Sequence, residues 1–210
     1  MEIERVGGNC IVITTKKAKL VVDPNLSGLH IKTPLTNVNA QLATQVNLAL
    51  PAEPDQLVLD TPGEYEILDI SIKGIPAAVY SDAKTEPFRS TIFRVETAGV
   101  SLAITGHINP DLSEDQLEAI GVVDVLVVPI GGNNSTLDSL GAIQIIRAID
   151  PKVVVPTNYA EPDVAYPTPQ ADLATFVKDL GAQKDETSKL KLKVGGFGEA
   201  LIVCEIKRSK

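Results

Sequence analysis

The chain reads as one α/β domain with many antiparallel strands and a few helices on its outside. Two observations predict this. The first half is dense in short runs rich in Val, Ile and Thr, separated by turn residues. The second half alternates apolar strand patterns with capped amphipathic helices. At 210 residues the chain is long enough to bury a substantial core.

The elements follow in order. Glu2–Val6, Asn9–Thr15 and Lys19–Val22 read as a three-stranded meander, with Gly7-Gly8 and Thr15-Lys16-Lys17 as its turns. Pro24 ends the third strand because it cannot donate to a ladder. Residues 26–38 read as a loop, and Ala40–Leu50 as an apolar strand ending at Pro51. Gln56–Asp60, Tyr65–Ile67 and Ile70–Ile75 are further short strands, followed by a polar loop from Ala77 to Arg89. Ser90–Glu96 and Val100–Ile104 pair across Thr97-Ala98-Gly99, a hairpin signal.

Helices enter after residue 112. Ser113 is a good N-cap with Gln116 three residues on, and Gly121 closes that helix. Val122–Val128 is a nearly continuous apolar run, the pattern of a strand covered on both faces. Gly131–Ser135 reads as a flexible loop. Thr136–Ile149 places Leu137, Leu140, Ile143, Ile146 and Ile149 on one helical face. Val153–Val155 is the next buried strand, Gln170–Leu180 a third helix, and Leu190–Val194 and Glu199–Ile206 the closing strands. Residues 207–210 form a short basic tail.

Composition narrows the function. The chain is 44% hydrophobic and 22% charged, ordinary for a globular protein. Its net charge of −8 repels phosphate backbones, so no nucleic-acid partner is expected. No apolar run approaches the length of a membrane span, and Met1–Val6 lacks a signal peptide's apolar core, so no membrane association and a cytoplasmic setting are expected. Cys10 and Cys204 each sit in an apolar strand run and read as inert core thiols.

Chemical motifs are sparse. Gly7-Gly8 and Gly131-Gly132-Asn133 match no phosphate-binding fingerprint and read as turns. There is no G-x-S-x-G elbow. Pairs such as Asp60 with Glu64 read as solvated surface carboxylates. His30 falls in a loop. His107, in Gly106-His107-Ile108-Asn109, follows a strand and precedes a helix, where open α/β sheets place ligands. It is the one candidate catalytic residue.

Several segments resemble the metallo-β-lactamase fold, in particular its small metal-dependent hydrolase-like subgroup. They are Gly7–Ile13 with Lys19–Pro24, Asp60–Glu66 with Ile70–Pro76, Ser90–Phe93, Leu117–Gly132 and Pro151–Pro156. The resemblance spans residues 1–206 and implies a four-layer αββα sandwich with its site at the sheet edge. It also implies an H-x-H-x-D-H motif after Thr44. Here Gln45, Asn47, Ala49 and Leu50 stand at those ligand positions. Val79, His107 and Asn158 stand at the remaining ones, and two His in the whole chain cannot supply the set.

Amides are weak zinc ligands, and Ala and Leu are none. A dinuclear site acts by lowering the pKa of bound water, which needs strong ligands. The expectation is a degenerate member without a metal or other cofactor, its former site packed by Ala49, Leu50 and Val79. Gln45, Asn47, His107, Asn158 and Asp23 would remain as the polar lining of a cleft for a small molecule or a protein. The alternative is a metal-dependent hydrolase of an ester, phosphodiester or lactone. In it His107 with Asp23, Asp60 or Glu64 would hold one ion. Zn²⁺ is the family's metal, but Mg²⁺ or Mn²⁺ suits oxygen ligands better.

Overall fold

The computed structural model describes residues 1–32, 36–46, 48–51, 56–80, 90–132 and 137–209. The strands are β1 (Glu2–Gly7), β2 (Cys10–Thr14), β3 (Lys19–Val22), β4 (Ala40–Leu42), β5 (Leu57–Leu59), β6 (Gly63–Ile67), β7 (Ile70–Ala77), β8 (Ser90–Thr97) and β9 (Val100–Ile104). The second half adds α1 (Glu114–Ile120), β10 (Val125–Pro129), α2 (Ser139–Ile149), β11 (Val153–Thr157), α3 (Leu173–Leu180), β12 (Gln183–Thr187), β13 (Leu190–Lys191) and β14 (Ile202–Ile206).

They form two mixed sheets. The six-stranded sheet runs β13-β1-β2-β3-β4-β5 and the eight-stranded sheet β12-β14-β11-β10-β9-β8-β7-β6. Strand alternation builds the layers. Ile11 and Ile13 of β2 point between the sheets, where they meet Ile72, Phe93, Leu102 and Val127. Cys10 and Val12 of the same strand point outward onto Leu26 and Leu29. The outer face of the larger sheet, through Ile92, Leu126 and Val154, packs on Ile120, Ile146 and Phe176 of the three helices. The α/β sandwich of two facing sheets is therefore as expected, with all three α-helices on the larger sheet. The outer cover of the smaller sheet is thin, a 3-10 turn at Ser27–Leu29 and its flanking loop.

Local chemistry explains most boundaries. Ser113 accepts from the Gln116 amide while the Gln116 side chain accepts from Ser113 N–H, the reciprocal cap expected for α1. Ala98 and Gly99 both have positive φ, so β8 and β9 close through a two-residue turn. Four expectations need correction. The apolar run from residue 40 pairs only over Ala40–Leu42, because Thr44 leaves the ladder for Asp23 and Ser90. β10 begins at Val125, and Val122 lies outside it, 87% exposed. Helix α2 begins at Ser139, where Asp138 caps the Gly141 amide, and this leaves Leu140 exposed while Ala142 and Ile145 are buried. Asp172 caps α3 in the same way, so the helix starts at Leu173 and not Gln170. Strand β12 was not anticipated.

Lys207 to Ser209 lie along β1. The Ser209 amide donates to Arg5 O at 2.9 Å, and Lys207 reaches Glu186 at 2.6 Å. No helix among the described residues is long and apolar enough to cross a membrane. Cys10 and Cys204 are buried free thiols. Burial, and then the Asp23 charge, pushes the Cys10 thiol up, and burial pushes Cys204 up to about 11. Both are held protonated and inert at neutral pH.

Candidate cleft at the strand ends

Three strands deliver polar groups to one end of the sandwich. Asp23-Pro24 ends β3, Gly106-His107 follows β9, and Asn158 follows β11. With Gln45 they line a single cleft of about 340 Å³. The structure thus brings together four of the residues expected there: Asp23, Gln45, His107 and Asn158. Asn47 lies outside the described residues. Asp60 and Glu64, offered as partners for His107, do not line this cleft, and neither does His30. The described part of the Gly131–Ser135 loop, Gly131 and Gly132, is buried.

The expected apolar plug is absent. Ala49 is exposed, Leu50 and Val79 are half-buried, and none of the three lines the cleft. Val79 is instead bridged to Ile108 on the rim of the sheet, beside the Tyr80 amide that donates to His107 O. Leu29, Leu48 and Pro167 supply the cleft's apolar lining beside the amides and hydroxyls.

Asp23 is the cleft's anchor. It is only 6% exposed and has φ +43, a left-handed conformation that only its local hydrogen bonds repay. Its carboxylate accepts from the Thr44 amide at 2.7 Å, from Thr44 Oγ1 at 2.7 Å and from Asn9 Nδ2 at 3.3 Å. Thr157 Oγ1 donates to Asn9 Oδ1 at 2.6 Å, fixing that amide. Burial raises the Asp23 carboxyl to about 6, against the pull of the Thr44 and Asn9 bonds.

His107 is held by its backbone, whose carbonyl accepts from the Tyr80 amide at 2.8 Å. Among the described residues its Nδ1 is buried and has no hydrogen-bond partner. Burial lowers the imidazole to about 4, so the ring is neutral at pH 7. Gly106 before it has φ +60, and a Cβ there would come within 2.2 Å of Thr44 Oγ1. Only glycine lets this turn approach the Asp23–Thr44 contact.

Asn158, with φ +51, donates its backbone N–H to Gly8 O at 2.9 Å and its Nδ2 to Gln170 Oε1 at 3.0 Å. A Cβ on Gly131 would lie 2.0 Å from both Asn158 O and Gln170 Oε1, so that glycine is required here.

One wall of the cleft was not anticipated. Tyr166, Thr168 and Gln170 come from the loop after β11, which has no periodicity to mark it. Tyr166 donates to Glu161 Oε1 at 3.0 Å. Glu161 is in turn clasped by Arg5 Nη1 at 2.7 Å and Nη2 at 3.0 Å. The Arg5 guanidinium lies 4.7 Å from the centre of the Tyr159 ring. This buried cluster pins the loop that carries Tyr166.

Two facing sheets with an open cleft at the strand ends define the metallo-β-lactamase sandwich. The chain belongs to the β-lactamase superfamily, whose domain profile matches residues 2–158. Solved structures agree on the fold. A protein from Thermotoga maritima, described as a putative Zn-dependent hydrolase of the metallo-β-lactamase superfamily, superposes with a TM-score of 0.73 at 22% identity, over 98% of this chain and 100% of that one. Igni18, a metallo hydrolase from Ignicoccus hospitalis, gives 0.60 at 15% identity, over 86% and 90%. A possible metal-dependent hydrolase from Veillonella parvula gives 0.59 at 11%, over 86% and 93%. No curated protein sequence matches the chain.

Proposed function

We propose that this chain is a small-molecule binding module on a hydrolase fold, working without a catalytic metal. The observation that carries this reading is the chemistry of the cleft. Of the residue types that hold zinc well, only Asp23 and His107 are among the described residues that line it. Among the described residues, no three His, Cys, Asp or Glu side chains are grouped where they could hold a metal ion. Asp23 already accepts three hydrogen bonds from neutral donors. The zinc named for the Thermotoga protein therefore does not fit the described donors. What remains is a set of hydrogen-bonding groups held by strained backbone, suited to recognition. The two buried thiols suit a reducing compartment, and we place the protein in the cytoplasm.

The first test is metal content per chain in protein purified without chelator and without a His-tag. Clearly substoichiometric metal, with no thermal shift on adding Zn²⁺ or Mn²⁺, is the expected result. Stoichiometric metal would overturn the reading. Asn158→Leu should then alter ligand affinity, since it removes the side-chain amide that donates to Gln170 Oε1 on the cleft wall.

A second reading has one observation in its favour: Asp23 and His107 share the cleft. On that reading the chain is a hydrolase of an ester, phosphodiester or lactone with atypical ligands. His107→Ala would then abolish metal-dependent turnover, and retained turnover would reject it.

A further inference from the structure

The cleft is electrically one-sided. Asp23 contributes a carboxylate, and the other described residues lining it are neutral: amides such as Asn9, Gln45 and Gln170, hydroxyls, the neutral His107 ring and apolar groups. No Lys or Arg is among them. The three hydrogen bonds that Asp23 accepts all come from uncharged donors, Thr44 and Asn9. A carboxylate offers about four acceptor positions, so roughly one is left over. The Gln45 and Asn25 side chains, also on the cleft, hydrogen-bond to no described side chain or backbone group. A buried anion without a counter-cation is costly, and whatever brings positive charge to it is bound preferentially.

Resting on the metal-independent reading above, we propose that the cleft binds a small organic ammonium ion, with its N–H groups directed to the Asp23 carboxylate and the neighbouring amides. The occupant carries its own positive charge where the relatives described as metal-dependent hydrolases are described as using a metal. The same charge pattern excludes phosphates and carboxylates, which would face Asp23 with no compensating side chain among the described lining. The cleft volume of about 340 Å³ suits a molecule of single-ring size.

The experiment uses three probes of nearly equal size that differ in charge: benzylammonium, benzyl alcohol and benzoate. Each is titrated into the untagged full chain, and the backbone amide resonances of Gly8, Gly28 and Thr44 on the cleft are followed by NMR. Benzylammonium should bind at least about ten-fold more tightly than benzyl alcohol, and benzoate more weakly than either. The preference should shrink with added salt, because it is electrostatic. In Asp23→Asn the ammonium and the alcohol should bind within about three-fold of each other.

Equal or tighter binding of the alcohol or the benzoate to the wild-type chain overturns the ammonium assignment and leaves the binding-site reading standing. No shift of the cleft amides by any probe at about 20 mM overturns both. Should Asp23→Asn fail to fold, the wild-type ranking and its salt dependence decide alone.

Discussion

Two carboxylates are buried near the same end of this sandwich, and they are treated in opposite ways. Glu161 is enclosed by charge. Arg5 grips it with two nitrogens, Arg208 approaches at 3.5 Å, and Tyr166 adds a hydroxyl. The Arg5 and Glu161 side chains are only 3% and 9% exposed, and Arg5 also donates to Ile206 O at 2.8 Å. Asp23 is as deep, yet its partners are an amide N–H, a hydroxyl and a carboxamide. The first arrangement is complete within the protein and ties β1, β14 and the cleft-wall loop together. Among the described residues the second is satisfied in hydrogen bonds but not in charge. A complete buried pair is scaffold, whereas an uncompensated charge in an open cleft is the place where a ligand gains most.

The largest effect should come from breaking the complete pair. Arg5→Met leaves Glu161 buried without its principal cation, which typically costs about 3–5 kcal/mol. Urea denaturation should show that loss at unchanged m-value, with the Gly8 and Asn158 amide resonances displaced as the Tyr166 loop loosens. A loss below about 1 kcal/mol would mean that the pair is no more than a surface ion pair, and the contrast would collapse.

The next effect separates the two titrating groups of the cleft. Burial raises the Asp23 carboxyl to about 6, so the folded state keeps its proton longer than the unfolded chain does. Asp23 therefore contributes stability that falls as pH rises from about 4 to 6. His107 is lowered to about 4, so the unfolded chain binds that proton first. Its contribution rises over about pH 4 to 6.5. In the wild type the two trends oppose each other. His107→Gln removes only the second. The stability of wild type relative to this variant should therefore climb by roughly 3 kcal/mol from pH 4 to 6.5. Unfolding curves of both proteins across that range measure the difference directly, and a flat difference would show that His107 is not held neutral by burial.

How much of this was legible in the sequence depends on how local each cause is. The apolar strand run within Asn9–Thr15, the Ser113–Gln116 cap and the Ala98-Gly99 turn are each dictated by residues a few positions apart, and each formed as expected. The strand ends carrying Asp23, His107 and Asn158 were legible because Pro24, Gly106 and Tyr159 mark the places where apolar runs stop. Strand β12 was not. Gln183–Thr187 is wholly polar because it is an outer strand whose residues stay largely exposed, so no hydrophobic period betrays it. The Arg5–Glu161 pair joins positions 156 residues apart, and no local pattern announces such a contact. The open cleft was misjudged for a related reason. Ala49 and Leu50 were read as filling, but Ala49 is exposed and Leu50 half-buried away from the cleft, and Leu48 reaches it in their place.

The smallest expected effect is also the sharpest test of the comparison. Asp23→Asn keeps the side chain's size and one carbonyl oxygen for the Thr44 amide. It exchanges the other oxygen for an NH₂ that faces Thr44 Oγ1, which can turn and accept. Against the lost acceptor for Asn9 stands relief of the penalty that raises the carboxyl to about 6. These terms have opposite sign and similar size, so stability at pH 7 should change by less than about 1 kcal/mol. The decline of stability with rising pH that Asp23 imposes should vanish in the same variant. A loss of about 3 kcal/mol or more in thermal or urea unfolding at pH 7 would show that the Asp23 charge is part of the scaffold, as at Glu161. A near-neutral result, beside a large loss in Arg5→Met, would show that one end of the molecule holds one buried charge for its own stability and another that the fold does not need.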